Sequence, residues 1–191
     1  MYSTETSNIM GKLTGKNIRL RALEPTDLEF LYNIENNEAY WEVSNTQTPY
    51  SRYILKQYLE NAHLDIYEAK QLRFAIEDKK HQIVGMIDLF DFSPQHLRAG
   101  VGILIDQNHQ QKGYATEAIK LLNKYAFSFL NLRQLYANIT TDNQKSIQLF
   151  EKLGYQLIGI RKDWIFSDGD FKDVAFYQLI HPSILHEKNI L

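Results

Sequence analysis

At 191 residues, with 44% apolar and 23% charged side chains, the chain has the composition of an ordinary globular protein and the length for one domain with its own core. Its 21 Lys and Arg against 23 Asp and Glu leave a net charge of −2, and no helix-turn-helix, zinc-finger or RNA-recognition signature is present, so no nucleic-acid partner is expected. Zero cysteines exclude disulfides, thiolate metal sites and a cysteine nucleophile, and with neither a signal-like apolar run nor a segment of membrane-spanning length the expectation is a cytoplasmic protein without membrane contact.

No fixed-period repeat organises the chain, so local periodicity must. Residues 1–15, rich in Ser, Thr and Asn, predict a flexible leader before a single domain over 16–181, with 182–191 as a tail. Ile18, Leu20 and Ala22 alternate with polar residues like a half-buried strand. Pro25-Thr26-Asp27 then starts a helix with Leu28, Leu31 and Tyr32 on its apolar side, ended by Asn36-Asn37. From Glu38 to Tyr50 the sequence is polar, aromatic and without period, which predicts a loop over a site. Ser51 caps a second helix, whose stripe is Ile54, Leu55, Tyr58, Leu59 and Ala62.

Strands follow at Leu72 to Glu77, Ile83 to Phe92 and Arg98 to Ile105. Their connections are too short for a crossover helix, so they form an antiparallel meander. A polar run from Gln107 to Gly113 leads into a long helix, with Ala115, Ala118, Ile119, Leu122, Ala126, Phe129 and Leu130 as one stripe. The next strand, Gln134 to Thr140, completes a strand-helix-strand unit and is therefore parallel to the one ending at Ile105. Asp142-Asn143 caps a shorter helix carrying Ile147, Phe150 and Leu153, and Gly154 closes it. Two last strands, near Leu157 to Phe166 and Phe171 to Leu179, flank the turn from Ser167 to Asp170. The fold class is α/β in the α+β sense.

The informative loop is Gln110-Gln111-Lys112-Gly113-Tyr114-Ala115, followed by Thr116, between a strand and an amphipathic helix. The first turn of a helix has spare N–H donors and the positive end of the macrodipole, and small residues let a phosphate approach them. Gly113 and Ala115 supply room, Thr116 a hydroxyl and Lys112 a positive charge. Taken alone the loop reads equally as a plain turn into a helix. No Walker A lysine follows, and the GxGxxG spacing is missing.

Two patterns change that balance. Gln110, Gly113 and Ala115 match Gln/Arg-x-x-Gly-x-Gly/Ala, and Asn143, Ser146, Phe150, Lys152, Gly154 and Tyr155 match Asn-x-x-Ala/Ser-x-x-x-Tyr/Phe-x-Lys-x-Gly-Phe/Tyr. On these residues the chain resembles the GNAT N-acetyltransferases, from about Ile18 to Leu179. The resemblance implies a mixed, mostly antiparallel sheet with flanking helices and a splayed parallel strand pair, acetyl-CoA as co-substrate, and no metal. It places the pantetheine arm along Ile103-Leu104-Ile105, the pyrophosphate on the turn from Gln111 to Thr116, and Gln110, Asn143 and Phe150 around them. Splayed strands leave backbone groups unpaired, and an amide-rich arm can pair with them like an added strand. Gly100 and Gly102 fit a strand that bends or bulges there.

Acetyl transfer to an amine needs a deprotonated nitrogen, an oxyanion partner and a proton for the departing thiolate. A backbone N–H near Ile103 to Ile105 suits the oxyanion. Many family members use a tyrosine where this chain has Phe150, which leaves water or Tyr155 as the proton source. Asp88 and Asp91 are the carboxylates suited to collecting and deprotonating an amine, and on a regular strand they would lie on opposite faces. The histidines show no ligand spacing. Within the family the nearest branches are the spermidine/diamine and ribosomal-protein-alanine acetyltransferases, so the acceptor is a small amine, a polyamine or a peptide N-terminus. Without a recognisable nucleophile–base pair, transfer should be direct. A non-catalytic acyl-CoA-binding or sensor module is the alternative that a turnover assay separates, and a homo-oligomer stays open.

Overall fold

The structure, a computed structural model, describes residues 13–44, 46–61, 65–167 and 169–181. Its strands are β1 (Ile18–Arg21), β2 (Leu72–Asp78), β3 (Ile83–Ser93), β4 (Arg98–Ile105), β5 (Gln134–Thr140), β6 (Gln156–Ser167) and β7 (Asp170–Ile180). The helices are α1 (Leu28–Glu35), entered through a 3-10 turn at Pro25–Asp27, α2 (Glu38–Ser44), α3 (Arg52–Glu60), the short α4 (Ile66–Ala69), α5 (Tyr114–Ser128) and α6 (Gln144–Lys152). Ser51 and Asn143 cap α3 and α6 by accepting from the N–H groups of Ile54 and Ser146, and Gly154 leaves α6 at φ 90°.

One mixed sheet runs in the order β1-β2-β3-β4-β5-β7-β6. Every neighbouring pair is antiparallel except β4 and β5, which are joined in parallel by the strand-helix-strand unit. Strand alternation splits the core in two. Phe74, Ile76, Ile87, Leu89, Ala99, Val101 and Leu135 face α5, whose Ala118, Ile119, Leu122 and Ala126 are fully buried against them. Ala75 and Met86 face the other way, under Leu31 and Ile34 of α1 and Leu55 and Leu59 of α3. A buried Leu or Ile contributes about 1.5–3 kcal/mol, so α5 is held by its stripe and does not need a capped N-terminus.

Two expectations change. The segment from Glu38 to Tyr50 opens with α2, a helix of seven residues. That is under two turns, with Tyr40 buried and the Asn37 side chain accepting from the Ala39 N–H, so the helical period has nothing to repeat on. The irregularity expected at Gly100 and Gly102 lies instead on the facing strand, where the register shifts between Phe90 and Ser93 and Asp91 has φ 48°. Gly100 is required for another reason, since a Cβ there would run into the Phe90 ring.

Residues 1–12 of the expected leader, the tail 182–191, Ala62 and Asp168 lie outside the described residues. Leu13 to Gly15 fold back on β1, with Leu20 N–H donating to Leu13 C=O and Gly15 N–H to Ile18 C=O. No helix among the described residues is long and apolar enough to cross a membrane.

Candidate functional site

The parallel pair is short. β4 and β5 pair only from Arg98 with Gln134 to Gly100 with Tyr136, and beyond that point they part. Two bonds fix which amides face the gap: Leu97 C=O accepts from Arg133 on the β5 side, whereas Asp106 N–H donates to Val84 C=O on the β3 side. Successive residues of a strand alternate in direction, so odd-numbered residues of β4 aim both backbone groups at β5 and even-numbered ones at β3. Ile103 and Ile105 therefore present N–H and C=O to the split, and the Gln110 side-chain amide donates to Ile105 C=O at 3.2 Å. Leu104 pairs with Met86 and packs its side chain against the α1–α3 core, so it walls the site without offering its amide.

At the open end of the split the chain turns into α5. Gln110 is extended, Gln111 has φ 62°, and Gly113 is the N-cap at φ 80° with no side chain capping the helix. Glu117, the acidic residue of the first turn, is engaged by Asn17, whose backbone and side-chain N–H groups donate to it at 2.8 and 3.0 Å. Lys112 Nζ rests on Asn108 C=O at 3.1 Å. A Cβ at Gly113 would meet nothing within 4 Å, so there is open space beside Gly113 at the entry to the first turn. An uncapped helix N-terminus, a lysine and two left-handed residues fit a pyrophosphate, and the free amides of β4 fit a pantetheine arm.

The second motif supplies structure. Asn143 is the α6 cap, and Phe150 is buried with its ring edge-on to Tyr155, 4.9 Å between centroids. Tyr155 is 2% exposed and donates to Asn123 Oδ1 of α5 at 2.9 Å. Burial pushes its phenol far above the ordinary tyrosine value. A general acid must touch the departing sulfur and have a pKa near the working pH. The Tyr155 hydroxyl is buried and already taken by Asn123, which argues against the acid role and for a pin between the end of α6 and α5. Tyr155→Phe should leave kcat within twofold and cost about 1 kcal/mol in denaturant unfolding, the net value of one hydrogen bond; a large fall in kcat with stability retained would restore the acid role.

The opposite face of the split carries the carboxylates. Asp88 accepts from Arg73 Nε at 2.7 Å and from its Nη2 at 3.2 Å, while Arg73 Nη1 donates to Glu35 at 2.7 Å. Asp88 therefore shares one guanidinium with Glu35, and the trio keeps a net charge of −1. The bulge turns Asp91 onto the same face as Asp88, against the expectation for a regular strand, and there its Oδ2 accepts from Tyr136 O–H at 3.1 Å. Asp91 is exposed and makes no ion pair among the described residues. Around it lies an aromatic floor: Phe90 stands edge-on to Tyr136 at 5.7 Å, and Tyr136 stacks on Phe176 at 5.4 Å. Burial and then the Asp91 charge push the Tyr136 phenol up to about 12, so it stays a donor.

The segment expected to lie over a site does so as α2, and what the sequence did not show are the partners that hold it there. Tyr40 of α2 accepts at its hydroxyl from Gln107 N–H at 3.0 Å, just past β4. Two residues on, Glu42 accepts from Lys172 Nζ at 2.6 Å and from Ser167 Oγ at 2.8 Å, and Lys172 also pairs with Asp142 at 2.9 Å. Helix α2 thus reaches across the split, from the end of β4 to β7 and the turn before α6. No local signal announces pairs more than 60 residues apart.

Residues 17–156 match the family model described as an acetyltransferase (GNAT) domain. The chain is 30% identical over 172 residues to the spermidine N(1)-acetyltransferase of Vibrio cholerae, covering 88% of this chain and 96% of the relative. The Vibrio cholerae spermidine N-acetyltransferase solved in complex with CoA and spermine is similar in structure, with TM-score 0.78 and 30% identity over 88% of this chain and 98% of that one. A dodecameric structure of the Vibrio cholerae spermidine N-acetyltransferase gives TM-score 0.74 at 31% identity, over 89% and 97%. With the split sheet, the uncapped loop before α5 and these matches in agreement, the chain belongs to the GNAT acetyltransferases and is an N-acetyltransferase that takes its acetyl group from acetyl-CoA.

Proposed function

We propose that the acceptor is a primary amine of a polyamine or diamine, and that it attacks the thioester directly from the α1–α3 face of the split. Asp91 carries this reading, as an exposed carboxylate that makes no ion pair among the described residues, set beside the rings of Phe90 and Tyr136, while Phe176 is already faced by the Arg161 guanidinium at 5.2 Å. An amine arriving as an ammonium is drawn to that charge, and its methylenes lie on the rings. The relatives with spermidine in their names support the same choice, and the dodecameric one supports an enzyme that works as an assembly.

In the transfer, the amine nitrogen forms a bond to the acetyl carbonyl carbon after losing a proton to Asp91 or to water. The resulting oxyanion is met by a backbone N–H on the split side of β4, from Ile103 or Ile105. Collapse breaks the carbon–sulfur bond, and the thiolate takes its proton from water. Phe150 has none to give. A thiol pKa of about 8.5 makes that departure tolerable near neutral pH.

The test is a turnover assay with acetyl-CoA against spermidine, diamines and N-terminal peptides. Polyamines should be preferred, with sequential kinetics and no acetylated enzyme. Asp91→Asn should lower kcat/KM for spermidine about tenfold at unchanged acetyl-CoA affinity, with salt reproducing part of the loss. A preference for peptide α-amines, together with full activity of Asp91→Asn, overturns the choice of acceptor. Ping-pong kinetics overturns direct transfer.

A further inference from the structure

On the face turned towards α1 and α3, the split has one lip on β4 and one on β5, and their charges differ. Gly100 pairs with Tyr136 at the end of the parallel ladder, so two residues further on Gly102 and Asn138 stand level across the open gap. Both positions lie on that face, because their neighbours Val101, Ala137 and Ile139 belong to the core under α5. Gly102 puts no side chain on the β4 lip, and a Cβ there would lie 3.8 Å from a carboxylate oxygen of Asp88. The β4 lip is therefore backed by the trio of Glu35, Arg73 and Asp88, with its net charge of −1.

The β5 lip carries a cation. Arg161 of β6 pairs with Val174, and its guanidinium lies over the Trp164 ring at 5.0 Å and over the Phe176 ring at 5.2 Å. Its Nη1 donates to Asn138 Oδ1 at 3.2 Å, which fixes the charge at the edge of the gap. Among the described residues it makes no ion pair. The other cations of this face stand differently: Lys172 is held between Glu42 and Asp142, and Arg98 lies back at the hinge, in the pair with Gln134. The charges of Arg98 and Arg161 both act on the Tyr136 phenol, against burial and Asp91, so they bear on the patch where the acceptor was placed above.

We infer that Arg161 is a specificity-determining residue of the acceptor mouth: its guanidinium denies the β5 lip to a second ammonium and makes a polyamine lie with its remaining charges along the β4 lip, towards Asp88 and Glu35. The inference rests on the polyamine acceptor proposed above. A guanidinium is charged at any working pH, and this one is held by two rings and an amide oxygen, so it cannot swing away as a free side chain would. Like charges in a mouth walled by protein repel more strongly than in open water. An acceptor with one ammonium has only Asp91 to meet, whereas each further ammonium must take one lip or the other. Arg161 thus selects the number and placement of charges and takes no part in the chemical step.

The test is a charge series of butylamine, putrescine, spermidine and spermine, assayed with acetyl-CoA at low salt. Arg161→Gln should raise the ratio of kcat/KM for spermine to that for butylamine about tenfold, and added salt should shrink the gain. Arg161→Lys keeps the charge and should hold the ratio within twofold of the parent. Should the glutamine variant disturb folding, Asn138→Asp neutralises the guanidinium in place and should move the ratio the same way, with acetyl-CoA affinity by calorimetric titration as the control. A ratio that neither neutralising change moves, in a parent that turns over polyamines, overturns the role of Arg161 and leaves the acceptor reading standing. A lysine variant that shifts the ratio as far as the glutamine variant places the effect in packing and overturns the selection by charge. A parent that acetylates N-terminal peptides and none of the series overturns the acceptor reading and this inference with it.

Discussion

Replacing Gly113 by valine weakens acetyl-CoA binding about 100-fold while the protein stays folded. Two effects add. Gly113 has φ 80°, a left-handed conformation that costs an L-residue about 1–2 kcal/mol and a β-branched one more. A Cβ there meets no protein atom within 4 Å, so the new side chain occupies space that the fold itself does not use. That space lies at the entry to the uncapped first turn of α5, where a pyrophosphate would accept from backbone N–H groups. Losing two charge-assisted hydrogen bonds at about 1.5 kcal/mol each gives the 100-fold. The stripe of Ala118, Ile119, Leu122 and Ala126 keeps the helix in place. Calorimetric titration reads the affinity, and Gly113→Ala, which carries strain with less bulk, should fall between. Unchanged affinity in a folded valine variant removes the loop from the cofactor site.

Arg73→Met lowers stability by about 3 kcal/mol. The side chains of Arg73, Glu35 and Asp88 are 20%, 11% and 20% exposed, and both carboxylates depend on the one guanidinium. Burial works against the Arg73 charge, but the neighbouring carboxylates outweigh it and hold the guanidinium protonated. Removing it leaves two carboxylates facing each other under α1 and α3. A fully buried pair broken this way costs about 3–5 kcal/mol, and the residual exposure puts this trio at the lower end. Denaturant unfolding measures it. Adding Asp88→Asn should return part of the loss, because it removes one of the orphaned charges, and that coupling separates the trio from a generic packing defect. A loss below about 1 kcal/mol would mean that the trio behaves as a surface pair.

What the sequence made legible was local. Ser51 and Asn143 cap their helices because a short oxygen-bearing side chain can satisfy an N–H two or three residues on, and that needs only a few adjacent residues. β4 runs from Arg98 to Ile105 and β5 from Gln134 to Thr140, as their apolar runs predict, and the helix between them fixes their parallel sense. The site was half legible for the same reason. The turn into α5 is contiguous in sequence, whereas the carboxylates depend on distant partners. Arg73 takes Asp88 from a different strand and Glu35 from a helix, and nothing near Asp88 marks it as occupied. The left-handed turn at Asp91 had a weak signal, since Asp tolerates φ > 0 better than most residues, but no period-two pattern can announce its own interruption. Tyr155 shows the limit of a motif, because its place after the glycine is visible while the Asn123 that occupies its hydroxyl comes from another helix.

Helix α2 gives the split a mechanical character. The sheet is two plates hinged at the three residue pairs from Arg98 with Gln134 to Gly100 with Tyr136. At the far ends of the plates α2 is a crossbar, bolted to one by Tyr40 and Gln107 and to the other by Glu42 and Lys172. A hinge closed by a crossbar leaves one angle free. In the reading proposed above, the cofactor arm and the amine enter the split from its two faces, so both would depend on that one angle. Whatever loosens Glu42 from Lys172 loosens both together.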